Sequence, residues 1–414
     1  MKSLSSVVVL VLLVFASSAS GGVLPGFRVQ TIAPALGFVS SLVVDSTNTI
    51  YYSTTGGTIF RLEGENSIAV ATLPTHAGGN GGLLGMALLD DRTAVVHYTT
   101  WDDVSDRVLD DVIATVDLFT GYDAPLHIFP CDIQNRDRGV SSEHHGGNPT
   151  VAPDGSIFVA IGEYGGGIIA SVPEWNGGKI WRLWRDGRVE QWSRGVRNPY
   201  DLAFDPDTQR VIVADNGPDD GDEINLAPAG SYLGWPFTFG FQPPIDNALP
   251  PSYVFPHTIA PTGLHRLSGR NAALPRGILL GGFVAQAIYY FPDVDAQPLP
   301  APIVLADELP SPVLDVTEGP DGRIYFATAG AIARLDVPKR GDCNGDGLTN
   351  AADIRSLLLE LADGDPEPVR DAGLGANNGS WGCDADGDAI ISESDLTALS
   401  AMVPPSRSRA VRTR

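Results

Sequence analysis

Two adjacent histidines, His144 and His145, precede the glycine pair Gly146-Gly147. An acid, Glu163, ends the apolar run Ile157 to Ile161 that follows the turn signal Pro153-Asp154-Gly155. That run has the composition of a short buried strand. Two antiparallel neighbours would bring His144 and Glu163 within reach of each other. An imidazole whose other nitrogen is held by a carboxylate is a general base with its orienting acid, the pair that proton abstraction from a hydroxyl requires. The alternative reading is a polar loop with no chemistry.

Three further stretches carry candidate groups. Asn80-Gly81-Gly82-Leu83-Leu84-Gly85 has glycines that let backbone approach a ligand or pack at a crowded axis. Arg197-Asn198-Pro199 places a planar cation, suited to clamping an anion, at a strand entrance, whereas Lys179 and Arg182 read as surface cations at the end of a strand. Asp215 to Asn225 sets five carboxylates around Gly217-Pro218, whose exposed carbonyls could supply oxygen ligands to calcium. A solvated acidic loop is the bland reading of the same residues.

A stronger metal signal lies near the end of the chain. Asp342, Asn344, Asp346, Asn350 and Asp353 stand at positions 1, 3, 5, 9 and 12 of a loop with Gly347 at position 6 and Leu348 at position 7 to offer its carbonyl. That is EF-hand spacing with Asp in place of the usual final Glu. About 42 residues later Asp384, Asp386, Asp388, Ile390, Ser392 and Asp395 repeat the pattern, with Ala389 where glycine is preferred. Each loop feeds a short apolar helix. Cys343 and Cys383 sit beside equivalent positions of the two loops and are expected to bond, leaving Cys131 as the odd thiol.

The elements that must position these groups follow from patterning. Residues 1–20 carry one early cation, an apolar core and small residues before Gly21, the form of a secretory signal peptide too short for a membrane span. The mature chain is expected to be exported, to the periplasm or beyond the cell. The net charge of the full sequence, -23, argues against nucleic acid and anionic membranes as partners and suits calcium. Between residues 37 and 336 an apolar strand, a turn with Asp or Gly and a second strand rich in Ile, Val, Phe and Tyr recur in six units. These are Leu42 to Leu62, Leu84 to Leu118, Thr150 to Leu183, Leu202 to Leu226, Gly263 to Phe291 and Val313 to Leu335. Even spacing with Gly-rich turns predicts an all-β, six-bladed β-propeller over residues 21–338, with Phe27 to Ile32 as the outer edge of the last blade. A β-sandwich pair is the alternative. Residues 339–403 form a small α-helical module with the paired calcium loops, and residues 404–414 a basic disordered tail.

The ordered set Gly-Leu-Leu-Gly, His-His-Gly-Gly, Pro-Asp-Gly with Gly-Glu, Gly-Lys-Ile, Arg-Asn-Pro, Gly-Pro with Asp-Glu-Ile-Asn, Tyr232-Leu233-Gly234-Trp235-Pro236 and Ile259 to Leu264 resembles the soluble glucose/sorbosone dehydrogenases. These are PQQ-dependent aldose sugar dehydrogenases. The resemblance runs from Leu42 to Leu335 and implies a quinone cofactor and calcium in a cleft at the propeller axis. It makes His144 the base toward a sugar hydroxyl and Glu163 its orienting acid. It makes Arg197 and Asn198 the pair that holds PQQ, with Asn80 where the family often has Gln, and makes the Gly217 and Pro218 carbonyls the calcium ligands. The family's Arg-x-Arg-Asp-Val run is here Pro312 to Val316, and Val284 or a neighbour stands where a Lys is expected. Those cations would neutralise the cofactor's carboxylates, so their replacement bears directly on how tightly it is held. Arg266, Arg270 and Arg276 are the candidates to compensate.

The paired calcium loops resemble a type I dockerin, which implies docking to a cohesin-type protein; the insert Asp363 to Trp381 is longer than a compact dockerin needs. The expected function is an exported oxidoreductase acting on a sugar or polyol with PQQ and calcium. The alternatives are a non-catalytic sugar- or protein-binding propeller and a calcium-dependent lactonase or hydrolase. The stretch Phe237 to Pro256 is where substrate specificity is expected.

Overall fold

The strand Ile157–Ile161 is buried at every residue, and its side chains alternate between two neighbours. Ile157, Val159 and Ile161 face one apolar cluster and Phe158 and Ala160 another. A strand covered on both faces reads as a continuous apolar run, and such runs recur in this chain because every sheet is packed between two others. The computed structural model describes residues 22–24, 27–75, 77–102, 107–121, 123–131, 143–271, 274–336, 339–344, 348–362, 367–368, 382–388 and 390–403.

Six four-stranded antiparallel sheets form the blades of a propeller. Blade 1 comprises Val39–Val44, Ile50–Thr54, Thr58–Glu63 and Asn66–Thr72. Blade 2 comprises Leu83–Leu88, Thr93–Asp102, Arg107–Asp117 and Asp123–Pro130. Blade 3 comprises Thr150–Val151, Ile157–Ile161, Lys179–Leu183 and Val189–Arg194. Blade 4 comprises Pro199–Asp205, Arg210–Asp215, Glu223–Ala227 and Tyr253–Val254. Blade 5 comprises Pro261–Ser268, Arg276–Gly282, Ala287–Phe291 and Ile303–Ala306. Blade 6 comprises Val313–Glu318, Ile324–Thr328 and Ala331–Asp336, and its outer strand comes from the other end of the chain, Arg28–Pro34 pairing antiparallel with Ala331–Asp336. Six apolar clusters lie between the blades, one at each joint.

At the hub the innermost strands of neighbouring blades share no ladder, and polar side chains join them instead. Ser41 Oγ donates to the Met86 carbonyl at 3.1 Å, joining blades 1 and 2. His97 Nδ1 meets the Gly147 carbonyl at 2.9 Å, joining blade 2 to the loop ahead of blade 3. Asn148 Nδ2 donates to Asp201 at 3.1 Å, and Asp201 accepts the Leu264 N–H at 2.7 Å, joining that loop to blades 4 and 5. Thr262 Oγ1 donates to the Val313 carbonyl at 2.9 Å, and Asp315 accepts the Leu42 N–H at 2.6 Å, which closes the circle.

Beyond the propeller, α1 (Ala351–Glu360) and α2 (Glu393–Met402) each begin with a capping box, Asn350 with Asp353 and Ser392 with Asp395. Cys343 and Cys383 form a disulfide among buried Leu357, Ile391 and Leu399. Residues 1–20, 363–366, 369–381 and 404–414 lie outside the described residues, so the signal peptide, most of the insert and the basic tail are not placed. No helix among the described residues is long and apolar enough to cross a membrane.

The hub carboxyls tie stability to pH. Burial raises Asp315 to about 7, and burial with the neighbouring Asp315 raises Asp201 well above the usual carboxylate range. A carboxyl raised in the fold binds more protons there than in the unfolded chain. Its contribution is therefore complete below about pH 4 and is lost as pH rises towards about 7. The melting temperature should fall between about pH 5 and about pH 8. Asp315→Asn keeps an oxygen for the Leu42 N–H without the charge and should flatten that fall; an equally steep fall in the variant would assign it to other groups.

Candidate active site

The loop from Glu143 to Pro149 threads between the end of strand Ile157–Ile161 and Tyr200 of blade 4, with no room for side chains at two of its positions. A Cβ on Gly147 would lie 1.7 Å from the Tyr200 carbonyl oxygen, and one on Gly146, whose φ is +92°, 2.1 Å from that of Ala160. Asn148 N–H donates to the Tyr200 carbonyl at 3.1 Å and fixes the exit of the loop. Just before the glycines, His144 takes a left-handed backbone with φ 56°, as does Tyr164 with φ 55°. Each costs on the order of 1–3 kcal/mol and persists only where the surroundings hold it. Gly162 makes the crossing possible, since a Cβ there would lie 2.1 Å from the His144 carbonyl oxygen.

His144 Nδ1 lies 2.6 Å from Glu163 Oε1. Glu163 is 2 % exposed and its Oε2 is buried without a hydrogen-bond partner among the described residues. The Glu163 N–H donates to the Arg197 carbonyl at 2.9 Å, so the acid is held by the same turn that carries Arg197. His145, one residue on, is directed to Asp111 of blade 2. Its Nδ1 lies 3.2 and 3.3 Å from the two carboxylate oxygens. Asp111 also accepts from the Tyr164 hydroxyl at 2.9 Å and faces His97 Nε2 at 3.1 Å, with Cys131 Sγ at 3.8 Å. Burial would raise this carboxyl, but the His145 and His97 imidazoles bring it below the usual carboxylate range. Asp111 and His97 escaped the sequence reading because they lie inside long strands with no motif around them.

A cavity of about 510 Å³ opens at this end of the propeller axis. Asn80, Asn198, Asn216, Tyr200, Thr262 and His145 line it, together with the aromatic rings of Phe38 and Phe283. The expected site residues thus divide. Asn80 and Asn198 face the cavity, whereas His144, Glu163 and Arg197 do not line it and stand beside it on the loops that frame it. A small-molecule site of this size accommodates a tricyclic acid such as PQQ, and the amide and hydroxyl donors can serve its oxygens. No Lys or Arg lines the cavity among the described residues.

The cations settle elsewhere. Arg197 Nη1 donates to the carbonyls of Asn216 and Gly217 at 2.9 and 3.3 Å, and its guanidinium lies over the Trp235 ring. Gly217 is thereby engaged by a cation, and a calcium ion on that carbonyl would require the guanidinium to release it. The Pro218 carbonyl accepts from Gly221 N–H. The acidic loop is not a cluster of free ligands. Asp222 accepts from the N–H groups of Gly217, Ile259 and Ala260, Asp215 from those of Arg197 and Asn198, and Glu223 from that of Gly240. Burial raises Asp215 to about 6 despite those donors, and burial with the nearby Asp215 raises Glu223 to about 8.

Several charges differ from the sequence expectation. Lys179 is fully buried, its ammonium donating to the Ile169 and Gly177 carbonyls, rather than a surface cation. Arg182 is partly covered, with Trp184, Trp192 and Phe158 around its guanidinium. Arg266 and Arg276 pair with Asp205 and Asp207 and Arg270 is exposed, so none of the three reaches the axial cavity. Val284 is 59 % exposed and Leu314 is buried in the joint between blades 6 and 1.

In the terminal module, Asp353 accepts from the N–H groups of Asn344 and Asn350, and Asp395 in the same way from Asp386 and Ser392, so the two loops close alike. Ligand oxygens of Asp384, Asp386 and Asp388 converge, which suits a hard cation. Asp342 is buried, and the side chains of Leu348 and Ile390 point outward, as carbonyl-ligating positions allow. Asp346 and Ala389 lie outside the described residues.

A model of the glucose / sorbosone dehydrogenase family matches residues 42–336. An uncharacterised protein of Synechocystis sp. is 30% identical over 234 residues, covering 47% of this chain and 56% of that protein. Aldose sugar dehydrogenase YliI of Escherichia coli is 27% identical over 193 residues, 40% of this chain and 49% of that protein. The chain thus spans about half the length of these curated relatives. The PQQ-bound structure of aldose sugar dehydrogenase from Streptomyces coelicolor matches with a TM-score of 0.63 at 21% identity, covering 75% of this chain and 98% of that one, which bears on the fold. With most of the propeller inside the matched span, the chain belongs to the glucose / sorbosone dehydrogenase family.

Proposed function

We propose that this protein oxidises a hydroxyl of a sugar or polyol, the anomeric one in an aldose, with His144 as base. The observation that carries the reading is the 2.6 Å contact between His144 Nδ1 and Glu163 Oε1. With Nδ1–H donated to the carboxylate, Nε2 keeps a lone pair. The hydroxyl proton moves to Nε2 while the hydrogen on the same carbon leaves with its electron pair. The buried Glu163 carboxylate, with one oxygen free of partners among the described residues, stabilises the imidazolium that results. When bound, PQQ supplies the two-electron acceptor for that hydride. Asn80 and Asn198 would hold it, with Arg197 as the nearest cation on the framing loops, and calcium would bind through Gly217 and Pro218 once Arg197 moves.

The chain is read as exported, and its terminal module as a dockerin-like, calcium-bound tether for a cohesin-type protein. The second calcium loop supports this through its converging carboxylates. A non-catalytic propeller that binds sugar alone is the second reading, favoured by the absence of lysine and arginine from the described cavity lining.

Dye reduction by the full-length protein with PQQ, calcium and a panel of aldoses tests the first reading. His144→Ala should lower the rate by roughly 10²–10⁴-fold, and Glu163→Gln should lower it less while shifting its pH profile. A wild-type protein that binds sugar without any dye reduction would favour the second reading, and an unchanged rate in His144→Ala would remove His144 as base. Chelation of calcium should expose residues 382–403 to protease while the main melting transition, that of the propeller, stays in place; unaltered protection of that segment would count against a calcium-held module.

A further inference from the structure

Blade 2 meets the histidine loop in a buried group of side chains that the proposed oxidation does not use. Asp111, Cys131 and His145 each present a ligand atom, and the three atoms lie within 4.8 Å of one another. None of the three residues is more than 6 % exposed. His145 Nδ1 stands 3.2 and 3.3 Å from the two Asp111 oxygens, and Cys131 Sγ stands 3.8 Å from one of them. A charge-assisted N–H···O bond runs at about 2.7–2.9 Å, and His144 meets Glu163 at 2.6 Å. The His145 contact is longer and shared between both oxygens, a poor hydrogen bond. It matches the spacing of metal ligands instead, since bonds of about 2.0–2.3 Å to a tetrahedral ion set neighbouring ligand atoms about 3.3–3.8 Å apart.

The donors select the ion. A thiolate with an imidazole and a carboxylate is a set for Zn2+ rather than for Ca2+, which takes oxygen ligands. The charges also balance. A divalent ion with one thiolate, one carboxylate and one neutral imidazole carries no net charge, as a fully buried site requires. The Tyr164 hydroxyl, 2.9 Å from Asp111, can fill the remaining coordination position. His97 steadies the carboxylate, with Nε2 3.1 Å from Asp111 and Nδ1 2.9 Å from the Gly147 carbonyl of the histidine loop.

We propose that Asp111, Cys131 and His145 bind a thiophilic divalent metal ion, zinc by its chemistry, which staples blade 2 to the loop that carries both histidines. Binding forms a metal–sulfur bond and releases the Cys131 thiol proton. The role is structural, because the three ligands are closed off from solvent and His144 is turned away to Glu163. Nothing in it depends on the sugar dehydrogenase reading.

Co2+ is the probe, since it occupies zinc sites and reports its ligands by absorption. The full-length protein is stripped of metal with a chelator, refilled with calcium, and titrated with Co2+ alone. The chain has three cysteines, and Cys343 and Cys383 are bonded to each other, so a sulfur-to-cobalt charge-transfer band can come only from Cys131. The carboxylate loops of the terminal module give no such band. One equivalent of Co2+ should produce it, and one equivalent of Zn2+ should abolish it. Zn2+ should also raise the melting temperature of the wild type but not of Cys131→Ser. Cys131→Ser should lose the band, and His145→Ala should weaken Co2+ binding by more than the roughly 10–100-fold that loss of an outer partner causes. No band in the wild type, a band that survives Cys131→Ser, unchanged affinity in a folded His145→Ala protein, or a melting temperature indifferent to Zn2+ would overturn the proposal. The wild-type titration decides even where a variant does not fold, and its outcome is independent of dye reduction.

Discussion

Neighbouring blades of this propeller meet at the hub through edges that cannot continue the β-ladder, and polar side chains make the joints there, five on a backbone group and the sixth by Asn148 on Asp201. The constraint is strict because an unpaired N–H in that position is cut off from water. Asp315 on the Leu42 N–H and Asp201 on the Leu264 N–H satisfy two of these groups with carboxylates. Glycine has to stand opposite, since a Cβ on Gly263 would lie 2.2 Å from an Asp315 oxygen and one on Gly85 2.1 Å from Asn148 Oδ1. Burying acids is costly, and the hub bears that cost by favouring their protonated forms.

The candidate site grows out of the same stitching. His97, which joins blade 2 to the loop ahead of blade 3, faces Asp111 with its other nitrogen, and Asp111 in turn directs His145. The loop carrying both histidines is pressed so closely on Tyr200 and Ala160 that only glycine passes, and this closeness sets His144 against Glu163. Architecture and chemistry share residues here. A change meant to alter one will alter the other, so substitutions at these contacting residues are expected to be non-additive.

The blades were legible because their middle strands are covered on both faces and so read as unbroken apolar runs, with Pro-Asp-Gly marking a turn between them. The outermost strands were not legible. Tyr253–Val254 has two residues, and Asn66–Thr72 is largely exposed and lacks a clear alternation. The pairing of His144 with Glu163 could be read because the turn between their strands is short. The pairing of His145 with Asp111 spans 34 residues and another blade, and no local pattern encodes it. The acidic stretch from Asp215 reads as a cation site by composition; Asp215, Asp222 and Glu223 receive backbone N–H groups, a use that spacing alone does not distinguish. Lys179 was misplaced because its buried partners are carbonyls, which leave no trace in side-chain sequence.

The strand Ala331–Asp336 lies inside blade 6, flanked on one side by Ile324–Thr328 and on the other by Arg28–Pro34 from the start of the propeller. It is also the last strand before the terminal module. Tension applied to that module enters the propeller along a strand clamped by ladders on both edges, so rupture would have to shear two rows of bonds together rather than peel one. Load passed from the module would therefore act on the seam where the first and last strands of the propeller are joined.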